Sequence, residues 1–265
     1  MSDTSSCSVS HIYRYPVKGL SPEPLDEVLL EVGQTLPGDR IYAIENGSGR
    51  FVEDAPNYLP KINFLMLMRN ERLAMLDTHF DVESHMLTIS RSGKPVASGD
   101  LSSALGRKMI EQFFSGFIRA EKLRGAPHIV HAAGHSFSDV AAKCVHIVNL
   151  ATVRELARTA GREIDPLRFR GNIYVDGLEP WQEFDWLNDE ISVGECRLKV
   201  FKRTVRCAAT NVDPSNGERD MALPALIQRN WGHSDFGVYA HVVVGGLLKP
   251  GALIGGPGYD APNLL

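Results

Sequence analysis

The sequence predicts a mainly β (α+β) fold of barrel-like or sandwich-like architecture. Three observations support this prediction. Short apolar runs suited to strands outnumber segments with helical periodicity, turn residues separate these runs, and several runs lie a hairpin's distance apart. The composition is 43% apolar and 23% charged, which is ordinary for a globular protein. With 265 residues the chain can form two domains, and the glycine- and proline-containing residues 122–127 mark a boundary between them.

Seven strands are predicted from β-branched or alternating apolar residues that end at turn residues. They cover residues 40–44, 62–68, 85–90, 144–149, 171–175, 196–200 and 238–244.

Two segments have helical character. Apolar residues recur at helical spacing over residues 101–117. A shorter helix is predicted over residues 152–160, with Thr152 as its N-cap, Glu155 completing a capping box and Gly161 ending it.

Charge and composition exclude several classes of function. The net charge of -4 and the pI of about 6.1 argue against a nucleic-acid or anionic-membrane partner. No uncharged apolar run reaches the ~18 residues of a membrane span. The first ten residues lack the basic and apolar pattern of a secretory signal, so we expect a cytoplasmic protein.

The four cysteines are widely separated, which argues against a disulfide framework and an iron–sulfur cluster. Cys207 differs from the others because Lys202, Arg203 and Arg206 precede it and a turn follows at residues 213–217. Positive neighbours favour the thiolate, which is the form that ligates metals or attacks carbon. The alternative is a buried small apolar residue, which is the usual role of a free cysteine.

A second pattern is a set of cations near predicted strands and turns. Lys18, Arg40, Arg170 and Arg206 could together bind an anion such as a phosphate. The alternative is solvated charge or ordinary ion pairs. A zinc site at His128, His131 and His135 is another alternative, although their segment lacks a helical pattern. The sequence contains no HExxH, P-loop, GxGxxG or GxSxG motif.

Four motifs in a fixed order resemble a known family. They are Y-P-V-K at 15–18, D-R at 39–40, F-R-G-N-I at 169–173 and R-C-A-A-T-N-V-D-P at 206–214. Over residues 8–255 the chain resembles a MOSC-domain protein, a family named for the C-terminal domain of molybdenum cofactor sulfurase. Its layout is similar to that of the amidoxime-reducing components and their bacterial relatives. The resemblance implies a smaller N-terminal MOSC β-barrel domain at residues 8–122 and a MOSC domain of β-barrel type at residues 123–262.

The resemblance also implies a molybdenum–molybdopterin cofactor. In the family the motif cysteine is the protein ligand to molybdenum, which corresponds to Cys207, and soft thiolate ligation suits such a metal. Lys18, Arg40 and Arg170 correspond to the residues that hold the pterin phosphate. Further cofactor-binding positions follow from the same motifs and from neighbouring segments that resemble the family's: Gly19, Ser138, Asp139, Thr152, Asn172, Arg206 and Thr210.

Two departures from the family pattern accompany these assignments. Gly19 stands where reductase relatives often carry serine, which removes one hydrogen bond to the phosphate. Acidic residues at 53–54 stand where relatives often offer an arginine, so we expect a changed substrate mouth or weaker cofactor binding.

The implied activity is reduction of N-hydroxylated or N-oxide small molecules. Two electrons would arrive from separate electron-transfer proteins, and the substrate oxygen would pass to molybdenum and leave as water. One alternative is a non-catalytic carrier or sulfur-handling module for the cofactor. Another is a cysteine hydrolase that pairs Cys207 with His233 or His241, although no spacing identifies the base.

Overall fold

A computed structural model describes residues 7–256, and it confirms a mainly β protein with three α-helices in that range. The N-terminal half contains strands β1 (Ser8–Arg14), β2 (Glu23–Leu25), β3 (Val28–Leu30), β4 (Tyr42–Glu45), β5 (Asp77–Phe80), β6 (Met86–Arg91) and β7 (Lys94–Asp100), then helix α1 (Ala104–Phe117). The remainder contains β8 (His128–His131), β9 (Val145–Asn149), α2 (Leu150–Ala160), β10 (Ile173–Asp176), β11 (Glu190–Val193), β12 (Cys196–Val205), α3 (Leu223–Trp231), β13 (Asp235–Val244), β14 (Gly246–Leu248) and β15 (Ile254–Gly255).

The largest sheet closes into a barrel. Its strand order is β15-β11-β12-β13-β9-β10-β1-β2, with β9 and β10 parallel and the other pairs antiparallel. A bridge between Ser8 and Leu253 brings β1 beside the chain leading into β15, and the Ile254 amide donates to the Cys7 carbonyl at 2.9 Å. These contacts close the strand order between β15 and β1, so inward-facing apolar side chains from all sides fill one interior.

The N-terminal half forms a second core. Strands β5, β6 and β7 make an antiparallel sheet, and α1 packs on it through buried Ile110 and Phe114. A close approach between Gly99 and Gly106 permits this packing, because a Cβ on Gly99 would lie 2.5 Å from the Gly106 carbonyl oxygen. The buried stripe of α1 therefore centres on residues 106, 110, 114 and 117.

Strand pairs cross between the two halves of the sequence. β1 pairs with β10, β3 with β14, and β4 with β8. The predicted domain boundary near residues 122–127 remains a prediction, and residues 257–262 of the predicted second domain lie outside the described residues. Within residues 7–256, no helix combines the length and apolar character that a membrane crossing requires.

The predicted helices are confirmed, but the predicted cap of α2 is wrong. Asn149 caps α2, because its side chain accepts a hydrogen bond from the Ala151 amide, and Glu155 pairs with Arg158. Gly161 ends the helix in the left-handed conformation, as predicted. Helix α3 was not identified from the sequence.

Six of the seven predicted strands are confirmed with shifted ends. The exception is residues 62–68, where a 3-10 turn (Lys61–Asn63) is followed by irregular chain. The Met66 carbonyl accepts from the Asn70 amide at 2.8 Å, so the backbone turns back instead of extending. Burial of this apolar run in the second core, and not strand pairing, explains its composition.

Candidate functional site

The site is a cavity of about 260 Å³ lined by residues from both halves of the chain. Seven cationic side chains line it, against two carboxylates, Asp39 and Asp139. The cations are Lys18, Arg40, Lys61, Arg168, Arg170, Lys202 and Arg206. Such a concentration of positive charge in a concave site favours an anionic ligand.

Cys207 lies in this cavity just beyond the end of β12, as the sequence predicted. The Thr210 amide and hydroxyl both donate to the Cys207 carbonyl, at 3.1 and 3.0 Å, and so fix the turn that presents the thiol. Cys207 is partly exposed, whereas Cys7, Cys144 and Cys196 are buried. Cys207 therefore does not have the buried position of an inert, structural cysteine.

A chain of charged groups leads from the Cys207 thiol into the N-terminal half. Lys61 Nζ lies 3.2 Å from Cys207 Sγ and 3.2 Å from Asp139 Oδ2, and Asp139 Oδ1 accepts from Lys18 Nζ at 2.5 Å. Burial alone would raise the pKa of Asp139, but the two lysines outweigh it and hold that pKa well below its usual range. Burial lowers the pKa of Lys61, but Asp139 and Cys207 reverse this and raise it.

Arg40 and Arg170 lie on the Tyr15 ring, with guanidinium carbons 4.8 and 4.2 Å from the ring centroid. Both arginines adopt positive φ angles, 53° and 50°, which non-glycine residues rarely do. Arg40 pairs with Asp39, whereas no carboxylate among the described residues pairs with Arg170. Burial, together with the charge of Arg40, lowers the pKa of Arg170 to about 10. An anion bound beside Arg170 would offset the repulsion between the guanidinium groups of Arg170 and Arg40.

Three side chains of the cavity have buried nitrogen atoms without hydrogen-bond partners among the described residues. They are Nε of Arg206, Nε of Arg168 and Nε2 of His146. Burial, followed by the charges of Arg206 and Arg40, holds the pKa of His146 well below its usual value, so the imidazole is neutral. Unsatisfied buried polar atoms are costly. Together with the free thiol and the excess of cations, they fit a polar, anionic group bound through sulfur.

Arg168 has a supporting role. Its side chain is only 2% exposed and pairs with Asp213 at 3.0 Å and Asp220 at 2.8 Å. Asp213 also accepts from the Ser215 amide and hydroxyl and so orders the predicted turn behind Cys207. This network ties the loop that carries Cys207 to the segment that carries Arg170.

The cavity brings together most of the predicted site residues. These are Lys18, Gly19, Arg40, Ser138, Asp139, Arg170, Asn172, Arg206 and Cys207. Asn172 acts chiefly on the backbone, since its amide accepts from the His146 amide and donates to the Tyr13 carbonyl.

Thr152 and Thr210 are not among the residues that line the cavity. Thr210 holds the Cys207 turn from behind. Thr152 is fully buried, and its hydroxyl donates to Glu183 at 2.9 Å and accepts from the Trp181 amide at 2.9 Å. The structure therefore gives Thr152 internal partners in place of a ligand-facing position.

The two departures from the family pattern have structural explanations. Gly19 has φ +87°, and a Cβ there would lie 2.9 Å from the Leu65 carbonyl oxygen, so serine would be strained. The acidic segment does not line the cavity: Glu53 accepts from Arg107 and from the His131 amide, both at 2.9 Å. The expected change at the substrate mouth from Glu53 and Asp54 therefore does not follow from this structure.

The described residues do not have the geometry of the cysteine hydrolase or of the zinc site considered as alternatives. His233 packs against Trp181 and Phe184, and His241 stacks on Phe201, so neither lines the cavity with Cys207. Over the described part of the chain, no group of three or more His, Cys, Asp or Glu side chains is arranged to hold a metal ion.

Sequence reasoning missed Lys61 and His146. Lys61 directly precedes the segment predicted to be a strand, and His146 lies inside the apolar run of β9. The one available signal was a single histidine interrupting that buried strand.

Family models match nearly the whole chain. The model described as MOSC N-terminal beta barrel domain matches residues 6–124, and the MOSC domain model matches residues 129–254. The chain therefore belongs to the family of proteins that carry these two domains.

Curated relatives match over shorter stretches. Mitochondrial amidoxime reducing component 2 of Rattus norvegicus is 31% identical over 80 residues, covering 30% of this chain and 23% of that protein. The Bos taurus protein of that name is 25% identical over 165 residues, covering 53% and 48%. Molybdenum cofactor sulfurase of Caenorhabditis elegans is 33% identical over 97 residues, covering 35% and 13%. The chain spans less than half the length of each of these relatives.

Two solved structures are similar at low identity. The YUAD protein of Bacillus subtilis is 12% identical, with 94% of each chain covered and a TM-score of 0.44. YiiM of Geobacillus stearothermophilus is 20% identical, covers 42% of this chain and 53% of that chain, and has a TM-score of 0.34.

Proposed function

We propose that this protein binds a molybdenum–molybdopterin cofactor through Cys207 and reduces N-hydroxylated or N-oxide small molecules. The observation that carries the proposal is the cavity itself, which places a partly exposed thiol among cations that outnumber the carboxylates. The amidoxime-reducing components among the relatives support the same reaction class. Electrons would come from separate electron-transfer proteins in the cytoplasm, without nucleic acid or membrane as a partner.

Each predicted residue has a role that its position supports. Arg170 and Arg206 each donate to one backbone carbonyl and have no carboxylate partner among the described residues, and Nε of Arg206 has no hydrogen-bond partner there. Their remaining guanidinium donors suit a phosphate or pterin. Lys18 and Arg40 add charge, but Asp139 and Asp39 partly neutralise them. When bound, the cofactor would supply the two-electron reduction and accept the substrate oxygen.

The protein's own groups prepare the site. Thr210 fixes the backbone of Cys207, and Lys61 donates toward its sulfur at 3.2 Å, which orients the thiol group in the cavity. The strained backbones of Arg40 and Arg170 hold their side chains on Tyr15, so little reorganisation is needed on binding.

A second candidate function is a carrier or sulfur-handling module for the same cofactor. The similarity to molybdenum cofactor sulfurase favours it. In that function Cys207 and the cations would bind the cofactor without turnover of an N-hydroxylated substrate.

The test is reduction of an aryl amidoxime by full-length protein purified from a host that makes the cofactor, with an electron-transfer chain reconstituted. We expect turnover, and a loss of about a hundredfold or more in Cys207→Ser at unchanged fold. Cys196→Ser is the matched control, because that cysteine is buried in the barrel and donates to the Gly246 carbonyl. Full cofactor loading without turnover would favour the carrier, and wild-type turnover in Cys207→Ser would contradict the proposal.

A further inference from the structure

One cation of the cavity is both exposed and without an ion pair. Lys202 lies on β12 and lines the cavity, yet among the described residues no carboxylate pairs with it. Lys18, Arg40 and Arg168, in contrast, each have an acidic partner. A lysine held at the edge of a cavity without a partner attracts anions from solution.

The charges of the cavity are unevenly paired. Seven cations and two carboxylates line it, and Asp213 and Asp220, which pair with Arg168 from behind, bring the carboxylates to four. About three positive charges therefore remain, and a phosphate monoester carries about two negative charges near neutral pH. About one positive charge is left for a further anion.

An apolar surface accompanies this charge. Val205 lines the cavity and is 64% exposed, which is unusual for a valine in a strand. Leu67, Val140 and Ala209 also line the cavity. Exposed apolar side chains beside a polar site bind the body of a small molecule.

Resting on the proposed function, we infer that the substrate of this cavity carries an anionic group that Lys202 attracts, with its apolar body against Val205. The substrate class is thus an N-oxygenated compound bearing a carboxylate or a phosphate. Neutral N-oxygenated compounds are poorer substrates because they leave Lys202 unpaired.

The first test measures the electrostatic attraction at Cys207 without cofactor or turnover. Full-length protein from a host that makes no molybdenum cofactor is alkylated at Cys207 with iodoacetate, an anion, and with iodoacetamide, its neutral counterpart. Peptide mapping confines the measurement to Cys207, since the other three cysteines are buried. We expect the iodoacetate-to-iodoacetamide rate ratio to exceed that of a free cysteine peptide.

Lys202→Met should lower this ratio by about threefold, the effect of one partly screened charge at short range. Lys199→Met is the matched control, because Lys199 lies on the same strand but donates to the Asn188 carbonyl and does not line the cavity. It should leave the ratio unchanged. Equal ratios in the wild type and Lys202→Met would overturn the inference.

The second test compares an aryl amidoxime with its para-carboxylate and its para-phosphate in the loaded enzyme. We expect a higher kcat/KM for at least one of the two anionic compounds than for the neutral amidoxime. Lys202→Met should lose this preference, and Lys199→Met should keep it. The anionic compound with the higher kcat/KM shows whether Lys202 attracts a carboxylate or a phosphate. Turnover without preference would overturn the inference alone. No turnover of any compound would contradict the proposed reductase, and the alkylation ratio would still decide whether Lys202 attracts anions.

Discussion

Two buried polar clusters of this protein differ in how their hydrogen bonds are met. Around Glu183, the carboxylate and the two side chains that bind it have internal partners: Asn149 donates to the carboxylate at 2.8 Å, and Thr152 donates to it and accepts from the Trp181 amide. In the cavity, Arg206 and His146 retain buried nitrogens without partners among the described residues. The first cluster is bonded within the fold, whereas the second leaves polar atoms open to the ligand proposed above.

The difference teaches how to separate structural from functional polar residues when both are buried. Thr152 and Arg170 both occur in segments that resemble cofactor-binding motifs, but only Arg170 lines the cavity. The position of the side chain distinguishes the two: Thr152 is bonded to Glu183 and to the Trp181 amide, whereas Arg170 lies at the cavity without a carboxylate partner among the described residues. Substitutions in the two clusters should therefore affect different measured quantities.

The largest effect is expected in the cavity. Arg170→Met should reduce cofactor retention by about tenfold or more, because hydrogen bonds to a charged group are worth about 1.5–3 kcal/mol. Retained pterin, measured by fluorescence after gel filtration, checks this prediction. Arg154→Met is the control, since Arg154 forms an exposed pair with Asp176 away from the cavity. Equal retention in both variants would remove Arg170 from the binding site.

The Glu183 cluster should give a pH-dependent effect on stability. Burial raises the pKa of Glu183 to about 7, although Asn149 and Thr152 oppose the shift. The native state therefore keeps a proton that the unfolded chain releases near pH 4.5, so the free energy of unfolding falls as pH rises from about 4.5 to 7 and then levels.

Glu183→Gln should remove this dependence. Relative to the wild type, the variant should gain up to about 3 kcal/mol between pH 4.5 and pH 8, as measured by urea unfolding. Glu179→Gln, at an exposed position, should follow the wild-type profile. Parallel profiles for the wild type and Glu183→Gln would show that Glu183 is ionised across this range.

A smaller stability loss is expected for Thr152→Val. The substitution leaves the Trp181 amide and one acceptor site of Glu183 without a partner, at a cost of about 1–3 kcal/mol. Thr159→Val on the same helix should cost less, because its hydroxyl only donates back to the Glu155 carbonyl. Cofactor content per folded molecule should stay unchanged. Loss of cofactor at unchanged stability would instead place Thr152 in the binding site.

The smallest effect is expected for Gly19→Ser. Restoring the serine of the reductase relatives would place a Cβ 2.9 Å from the Leu65 carbonyl oxygen at φ +87°. We expect a loss of about 1–2 kcal/mol in the free energy of unfolding and no gain in cofactor retention. Chemical denaturation and pterin fluorescence measure the two quantities. Tighter cofactor binding without a loss of stability would contradict the strain argument.

The sequence predicted the fold class, most strands and two helices, since these depend on local periodicity. It could not predict that β1 joins the barrel of the second half, because that pairing connects residues far apart in sequence. The strand predicted at residues 62–68 was wrong for a related reason: an apolar run indicates burial, and tertiary packing decides whether the backbone extends.

The functional site also divides into residues that local sequence predicts and residues that only tertiary structure brings together. Cys207 and the arginines were predicted because their motifs are contiguous. Lys61 was missed because only folding brings it 3.2 Å from the Cys207 sulfur. Thr152 was assigned to the cofactor because sequence alone does not reveal Glu183 as its partner.

The most direct test of the central claim is the molybdenum and pterin content of three proteins from a cofactor-producing host: wild type, Cys207→Ser and Cys196→Ser. Near-stoichiometric metal and pterin in the wild type and in Cys196→Ser, with metal lost in Cys207→Ser, is the predicted result. Equal molybdenum in all three proteins, or none in any of them, would contradict the assignment of Cys207 as the metal ligand.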